Sequence, residues 1–435
     1  MTDLAERLIA IISDRASEIA ELARDLVRLD TTARMPGDPP REEEELQGLL
    51  AQRLRDSNAS VQLFEPEPGS LKPWDRQLPH LDFKGRPQLI ARWPGRGRGR
   101  SLIFNGHIDV VSAEPWSAWA TDPFGGLITD GRLFGRGACD MKGGIAAMVI
   151  AAEAVQEVTG GLAGEVIVNT VTDEESSGAG SLACIERGLR ADAAIVPEPT
   201  SFDVWVACRG SLTPTIAVTG RPGHAELPQS DWMSGGAVNA IDKMQLILAA
   251  VRGLREEWQT RPDQRHPFLA PGTIVPVLIN GGEWFVTYPA ECRLTCEVMY
   301  LAQNADDRGE GRRVQQELGA WISTAAQADS WLRENPPSIE WGSDIPPAEL
   351  PANHPLTQNM LSAAKLSGLT SAVDGFNSWF DGASFIRVAG VPSVAFGPPA
   401  VDHAHVIDES VGVDDLVGCA QALGLAALSW CGGGG

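Results

Sequence analysis

The sequence predicts an α/β protein: a mostly parallel sheet with helices on both faces, interrupted by an inserted α+β segment of ferredoxin-like kind. Two textures along the 435-residue chain lead to this. From Leu89 onward, short apolar runs end at turns, at residues 88–92, 102–105, 166–171, 193–196 and 391–396. Helical stretches such as 144–158 lie between several of them. Near-continuous apolar strands alternating with helices mark a sheet buried on both faces. Residues 211–342 instead read as strand 213–219, helix 236–258, strands 273–279 and 290–300, then helix 311–328. Residues 1–210 and 343–435 are therefore expected to form one domain, and 211–342 a second.

The remaining elements follow in order. Leu4, Leu8, Ile11, Ile12, Ile19, Leu22 and Leu26 recur at three- and four-residue spacings, so the N-terminus reads as a helix. The Pro/Gly-rich stretch 35–40 breaks it, and 42–55 forms a second amphipathic helix. Pro346, Pro347 and Pro351 mark the return to the first domain, where 355–366 is helical again. Gly432–Gly435 reads as a disordered tail or an added scar.

Composition narrows the function. A chain 43% hydrophobic and 21% charged, with mean hydropathy −0.09, is that of an ordinary folded protein. Lys plus Arg number 35 against 57 Asp plus Glu, a net charge of −22. Such a surface repels phosphate backbones and anionic lipid, so neither nucleic acid nor membrane is an expected partner. No apolar run reaches the ~20 residues that span a bilayer. The apolar stretch 8–12 is short and flanked by acids, unlike a signal peptide. Seven scattered cysteines with no CxxC pair read as reduced thiols of a cytoplasmic protein. Cys292 and Cys296, on one strand, would stand ~13 Å apart, too far for a disulfide.

Seven histidines are more informative than the many acids. His107 follows the apolar run at 102–105, Glu174 and Glu175 follow that at 166–171, Glu198 ends the strand at 193, and His405 lies a short loop after 391–396. Strand carboxyl ends of a parallel sheet share one rim, so these side chains meet there. Asp140 precedes a helix that opens with Gly143 and Gly144. Taken singly, each has an ordinary explanation: a polar loop histidine, a helix N-cap, a solvated acidic turn. Together, two imidazoles and several carboxylates suit zinc or a similar first-row metal. Five ligands exceed one tetrahedral site, so two metals sharing a carboxylate is the economical reading.

The stretches Asn105–Val110, Gly135–Gly144, Thr172–Gly178, Pro197–Thr200, Gly220–His224 and His405–Glu409 resemble, in order, the motifs of the acetylornithine deacetylase / succinyl-diaminopimelate desuccinylase family. That family of co-catalytic zinc metallopeptidases also holds aminoacylase-like and carboxypeptidase G-like enzymes. The resemblance implies that His107, Asp140 and Glu198 hold one zinc ion and Asp140, Glu175 and His405 the other, with cobalt or manganese as alternative metals. Asp109 would orient the His107 ring, Glu174 would act as general base, and His403 would be loop structure. The inserted domain would be a lid that also forms a homodimer, with His224 completing an oxyanion site. The implied activity is hydrolysis of the C–N bond of a small N-acylated amine or amino acid. Dipeptidase or carboxypeptidase-like action, carbamate or formamide hydrolysis, and a non-catalytic relative are the alternatives.

One departure stands out. Where many members carry an Asn and an Arg that grip a substrate carboxylate, this chain has Val286 and Met299. Either another residue such as Arg209 or Arg387 takes over, or the leaving group is a neutral amine. Thirteen tryptophans, among them Trp116, Trp119, Trp284 and Trp379 near the motifs, fit core packing or an aromatic acyl pocket.

Overall fold

The apolar runs pair side by side in the order Ser60–Phe64, Gln88–Trp93, Val166–Val171, Leu102–His107, Ala193–Val196, Ser393–Ala395, Val204–Cys208 and Ala348–Glu349, with Val373–Phe376 also against Val204–Cys208. The computed structural model describes residues 2–34, 38–39, 41–67, 69, 71 and 82–433. Most of the expected break at 35–40, His80 and the last two glycines lie outside the described residues. Contacts divide the chain into two units: Met1–Ala207 with Glu349–Gly375 and Phe380–Gly435, and Cys208–Ala348 with Phe376–Trp379.

In the first unit the four central strands are parallel. The flanks are antiparallel, Ser60–Phe64 on Gln88–Trp93 and Gln88–Trp93 on Val166–Val171. The sheet is thus mixed, with a parallel centre. The link 94–101 is too short for the dozen or so residues of a crossover, so Gln88–Trp93 and Leu102–His107 cannot be parallel neighbours. Apolar composition reports burial of a strand and says nothing of its direction.

Helix Gly143–Thr159 is apolar over its first ten residues, packs against helix Val413–Cys431, and has most of its side chains buried. Its first glycines are steric necessities. A Cβ on Gly144 would stand 2.2 Å from the Pro197 carbonyl oxygen, and one on Gly143 2.5 Å from that of Ala138. The N-terminal periodicity is real, but two helices carry it, Thr2–Asp14 and Ala16–Val27. Arg15 stands at the break and pairs with Glu18 at 2.7 Å and Glu153 at 2.5 Å.

The second unit is an antiparallel sheet in the order Thr273–Gly281, Glu291–Tyr300, Gly210–Thr219, Ser338–Ile345. Helices Ala240–Trp258 and Arg312–Ala326 complete a βαββαβ chain order, the ferredoxin-like arrangement. Ile216, Val218, Leu294, Cys296 and Val298 from the strands pack on Met244, Ile247, Val251, Leu318 and Ile322 from the helices. The first helix starts at Ala240 and not at 236, because the Asn239 side chain caps it by accepting the Ile241 N–H. All seven cysteines are buried, and none is in a disulfide among the described residues. Among the described residues, no helix is long and apolar enough to cross a membrane.

Because the Gly144 contact is backbone on backbone, Gly144→Ala must displace the segment that carries Glu198. A loss of about 1–3 kcal/mol is expected by urea denaturation. An unchanged midpoint would contradict this close packing.

Candidate metal centre

Leu102–His107 and Val166–Val171 run in register, with His107 opposite Val171, so both leave the sheet at the same rim. His107 and the turn 172–175 are therefore neighbours by construction. Ala193–Val196 leaves beside them and delivers Glu198, while its parallel neighbour Ser393–Ala395 leads into the loop bearing His405. Asp140 sits in the turn Ala138–Lys142 that feeds the buried helix.

The side chains form two groups that share Asp140, and in each group the possible ligand atoms lie within 4.8 Å of one another. In the first, His107 Nε2 is 3.0 Å from Asp140 Oδ1 and 4.0 Å from Glu198 Oε2. In the second, His405 Nε2 is 3.3 Å from Asp140 Oδ2 and 3.1 Å from Glu175 Oε1. Each Asp140 oxygen thus faces a different imidazole. Glu198 Oε1 is buried with no hydrogen-bond partner among the described residues, which a cation would remedy. Imidazole nitrogens and carboxylate oxygens converging in this number fit zinc, cobalt or manganese. Glu174 is buried and belongs to neither group. His403 also belongs to neither.

Surrounding residues hold this arrangement. The Asp109 main-chain carbonyl lies 2.9 Å from His107 Nδ1, whereas its carboxylate is 3.8 Å away. That carboxylate accepts the Glu174 and Glu175 N–H groups at 3.2 and 3.1 Å. The ring is thus held by the main chain of Asp109, and its side chain reaches forward to the acidic turn. Glu409 Oε1 accepts the Cys139 and Asp140 N–H groups at 2.8 and 3.1 Å, while Oε2 pairs with Arg136 at 2.5 Å. Asp381 is buried, accepts the Ser181 hydroxyl at 2.7 Å and leaves Oδ1 without a hydrogen-bond partner among the described residues. Sequence reasoning assigned no role to Glu409, Arg136 or Asp381. The available signals were that Glu409 closes the His405–Glu409 stretch and that Arg136 lies within Gly135–Gly144.

Charge crowds here. Burial pushes Glu174 and Glu198 well above the usual carboxylate range, with neighbouring acids adding to it. Burial likewise lifts Asp109 to about 6 and Asp381 to about 7. For His107, burial opposes protonation, but Glu174, Asp140 and Glu198 outweigh it and hold the imidazole well above its ordinary value. Hydrogen bonds to Asp140 and Glu175 raise His405 to about 10. Asp140 lies below the usual range despite burial, because both histidines bond to it.

Most of the remaining predicted residues lie in the second unit. His224 is exposed, bridges to Thr287, and its Nδ1 accepts the Glu226 N–H at 3.3 Å. Val286 is half-buried and its carbonyl accepts the Ala225 N–H at 2.9 Å. Met299 is buried in its strand opposite Ser211 and Thr273. Arg209 directs its guanidinium to the carbonyls of Asn377 and Pro271, so its role is to brace the chain. Arg387, on the first unit, is exposed.

A fold of this kind with a two-group histidine–carboxylate rim defines a metal-dependent hydrolase. The description "Peptidase family M20/M25/M40" matches residues 103–429, and the chain belongs to that family. It is 28% identical to the N-formyl-4-amino-5-aminomethyl-2-methylpyrimidine deformylase of Bacillus subtilis, over 97% of this chain and 96% of that one. It is 33% identical to a succinyl-diaminopimelate desuccinylase of Ruegeria pomeroyi, over 56% of this chain and 65% of that one. A dinuclear metal-binding peptidase of the family from Bacillus subtilis shares the fold, with TM-score 0.66 at 13% identity, covering 96% of this chain and 99% of that one. The family is metal dependent, and the chain is a hydrolase acting on amide bonds.

The raised imidazole gives a signed expectation for protein stripped of metal. The His405 contacts stabilise the fold fully below the ordinary histidine pKa of ~6.5 and are lost as pH rises through about 10. Melting temperature of the stripped protein should therefore fall between pH 7 and 10.5. His405→Asn should flatten that slope, and so should metal loading, which requires a neutral imidazole. Parallel curves for wild type and variant would contradict the assignment.

Proposed function

We propose that the protein is a two-metal amidohydrolase that cleaves a small N-acylated amine with water, using Glu174 as base. The observation that carries this is Asp140, whose two oxygens face two different imidazoles, each group completed by a separate glutamate. Glu174, buried and outside both groups, is the carboxylate we assign to proton transfer.

Two zinc ions, with cobalt or manganese as alternatives, would be held by His107, Asp140 and Glu198 and by Asp140, Glu175 and His405, and would polarise the scissile carbonyl and acidify water. Glu174 takes the proton from the attacking water and returns it to the leaving nitrogen, with no covalent intermediate. The Asp109 carboxylate keeps Glu174 in place by accepting the Glu174 main-chain N–H. His224 is assigned as a donor to the developing oxyanion.

For the substrate, absence of Arg at Met299 and engagement of Arg209 with carbonyls favour a neutral amine as leaving group. The deformylase relative points the same way, since its name describes a formamide on an aminopyrimidine and no carboxylate. An N-formyl or other short N-acyl amine on an uncharged scaffold is thus the preferred substrate class, ahead of dipeptides and carbamates. The second unit is assigned to lid and homodimer. Its edge strand Thr273–Gly281 presents Val275, Val277, Leu278 and Ile279 to solvent, and such edges pair readily. Buried cysteines without disulfides suit the cytoplasm.

Glu174→Gln should retain about two metals per chain while losing roughly 10²–10⁴-fold in kcat. Asp140→Asn should lose at least one metal by atomic absorption. Retained turnover in the first variant, or full metal content in the second, would overturn the roles.

Substrate choice has its own measurement, kcat/KM for an N-formyl amino acid beside its primary amide. The two should agree within about tenfold, equivalent to no more than 1.4 kcal/mol of carboxylate recognition. A thousandfold preference for the free acid would exclude the neutral-amine reading and direct attention to Arg387.

A further inference from the structure

The Glu174–Glu175 turn has a second hold, independent of Asp109. Arg86 Nη2 donates to Asp173 Oδ1 at 2.7 Å, with side chains 4% and 5% exposed. Arg86 Nε stands 3.5 Å from Glu43 Oε1, and Arg34 Nε 3.2 Å from that same oxygen. Charges thus alternate from Arg34 through Glu43 and Arg86 to Asp173. Asp173 adopts a left-handed φ of 74°, and its carbonyl accepts the Ser177 and Gly178 N–H groups at 3.0 and 2.8 Å. Its second carboxylate oxygen accepts the Ser177 hydroxyl. Two residues beyond Arg86, Gln88 accepts the Thr172 N–H at 3.0 Å and donates to its hydroxyl at 2.8 Å. The approach is close: a Cβ on Gly180 would lie 2.6 Å from Gln88 Oε1 and 2.2 Å from the Thr172 carbonyl oxygen.

We propose that Arg86 is a positioning residue for hydrolysis: by neutralising and fixing Asp173, it sets the turn from which Glu174 works. This rests on the reading of Glu174 as base. Asp173 is a buried carboxylate followed directly by two further acids, Glu174 and Glu175, and a buried charge keeps its place only when paired and hydrogen-bonded. A guanidinium suits the position because its planar fork reaches Asp173 and Glu43 at once, which a lysine ammonium cannot reproduce. Glu174 must stand within hydrogen-bond reach of the proton it moves, and a displacement of ~1 Å costs on the order of 10²-fold in rate. Arg86 is in neither metal group. It acts through Asp173.

The test compares Arg86→Met, Arg86→Lys, Asp173→Asn and the double variant Arg86→Met/Asp173→Asn with wild type on N-formylbenzylamine, alongside Glu174→Gln. Arg86→Met should lower kcat about 10–100-fold with KM within threefold and metal content unchanged, and Arg86→Lys should recover part of the loss. The double variant should be no worse than the poorer single variant, because the two residues act in series. In metal-free protein, hydrogen exchange across 172–178 should quicken at least tenfold in Arg86→Met, while 102–107 keeps its rate. Turnover within twofold of wild type in folded Arg86→Met, or additive losses in the double variant, would overturn the proposal. If Arg86→Met does not fold, Arg86→Lys decides the matter by the same kcat and exchange readouts. Full turnover in Glu174→Gln would defeat the base reading itself. A dead Glu174→Gln beside an undiminished Arg86→Met defeats only this inference.

Discussion

Asp109, Asp140, Glu174, Glu175, Glu198 and Asp381 gather around His107 in a largely buried rim, and six carboxylates cannot all ionise there without cations. The nearby arginines do not meet that demand. Arg86 is taken by Asp173 and Glu43, and Arg136 by Glu409. In metal-free protein the deficit falls on protons, which is why His107 and His405 are pushed upward and Glu174 and Glu198 with them. Divalent cations would answer the same demand, with possible ligand atoms already gathered within reach. The rim is costly as a structural feature and sensible as a metal centre.

The parallel centre of the sheet makes such crowding achievable. Strands that leave at one edge place His107, the 172–175 turn and Glu198 side by side without long loops. Within the turn, adjacent residues serve different ends. Glu175 joins His405 and Asp140, while Glu174 stays outside the ligand groups with its N–H on Asp109. Asp173 anchors the turn from the other flank through Arg86. Glu409 does the same for Asp140 by accepting two successive N–H groups. Asp173 and Glu409, which hold these neighbours in place, are each paired with an arginine.

Much of this was legible in the sequence, for physical reasons that vary by element. Strand ends bearing His107, Glu174, Glu175 and Glu198 are readable because an apolar run followed by polar residues is a local pattern. The first five elements of the second unit are readable because each keeps a period of two or of 3.6, whereas the closing strand Ser338–Ile345 was not read from the sequence. Antiparallel flanks were not legible, since strand direction depends on connection length and partner. The break at Arg15 escaped notice because helical periodicity continues through it, and what marks it is a pair with Glu153, far along the chain. Arg136 with Glu409 and Arg86 with Asp173 are likewise distant pairs with no periodic signature. Arg209 was a candidate for substrate binding only until its carbonyl partners were visible.

The central claim is that one carboxylate, Asp140, is shared by two ions. Anomalous diffraction at the zinc edge from crystals of metal-loaded protein tests it directly. Two peaks about 3.5–4 Å apart, each within coordination distance of a different Asp140 oxygen, are predicted. A single peak, or two peaks of which only one contacts Asp140, would contradict the account.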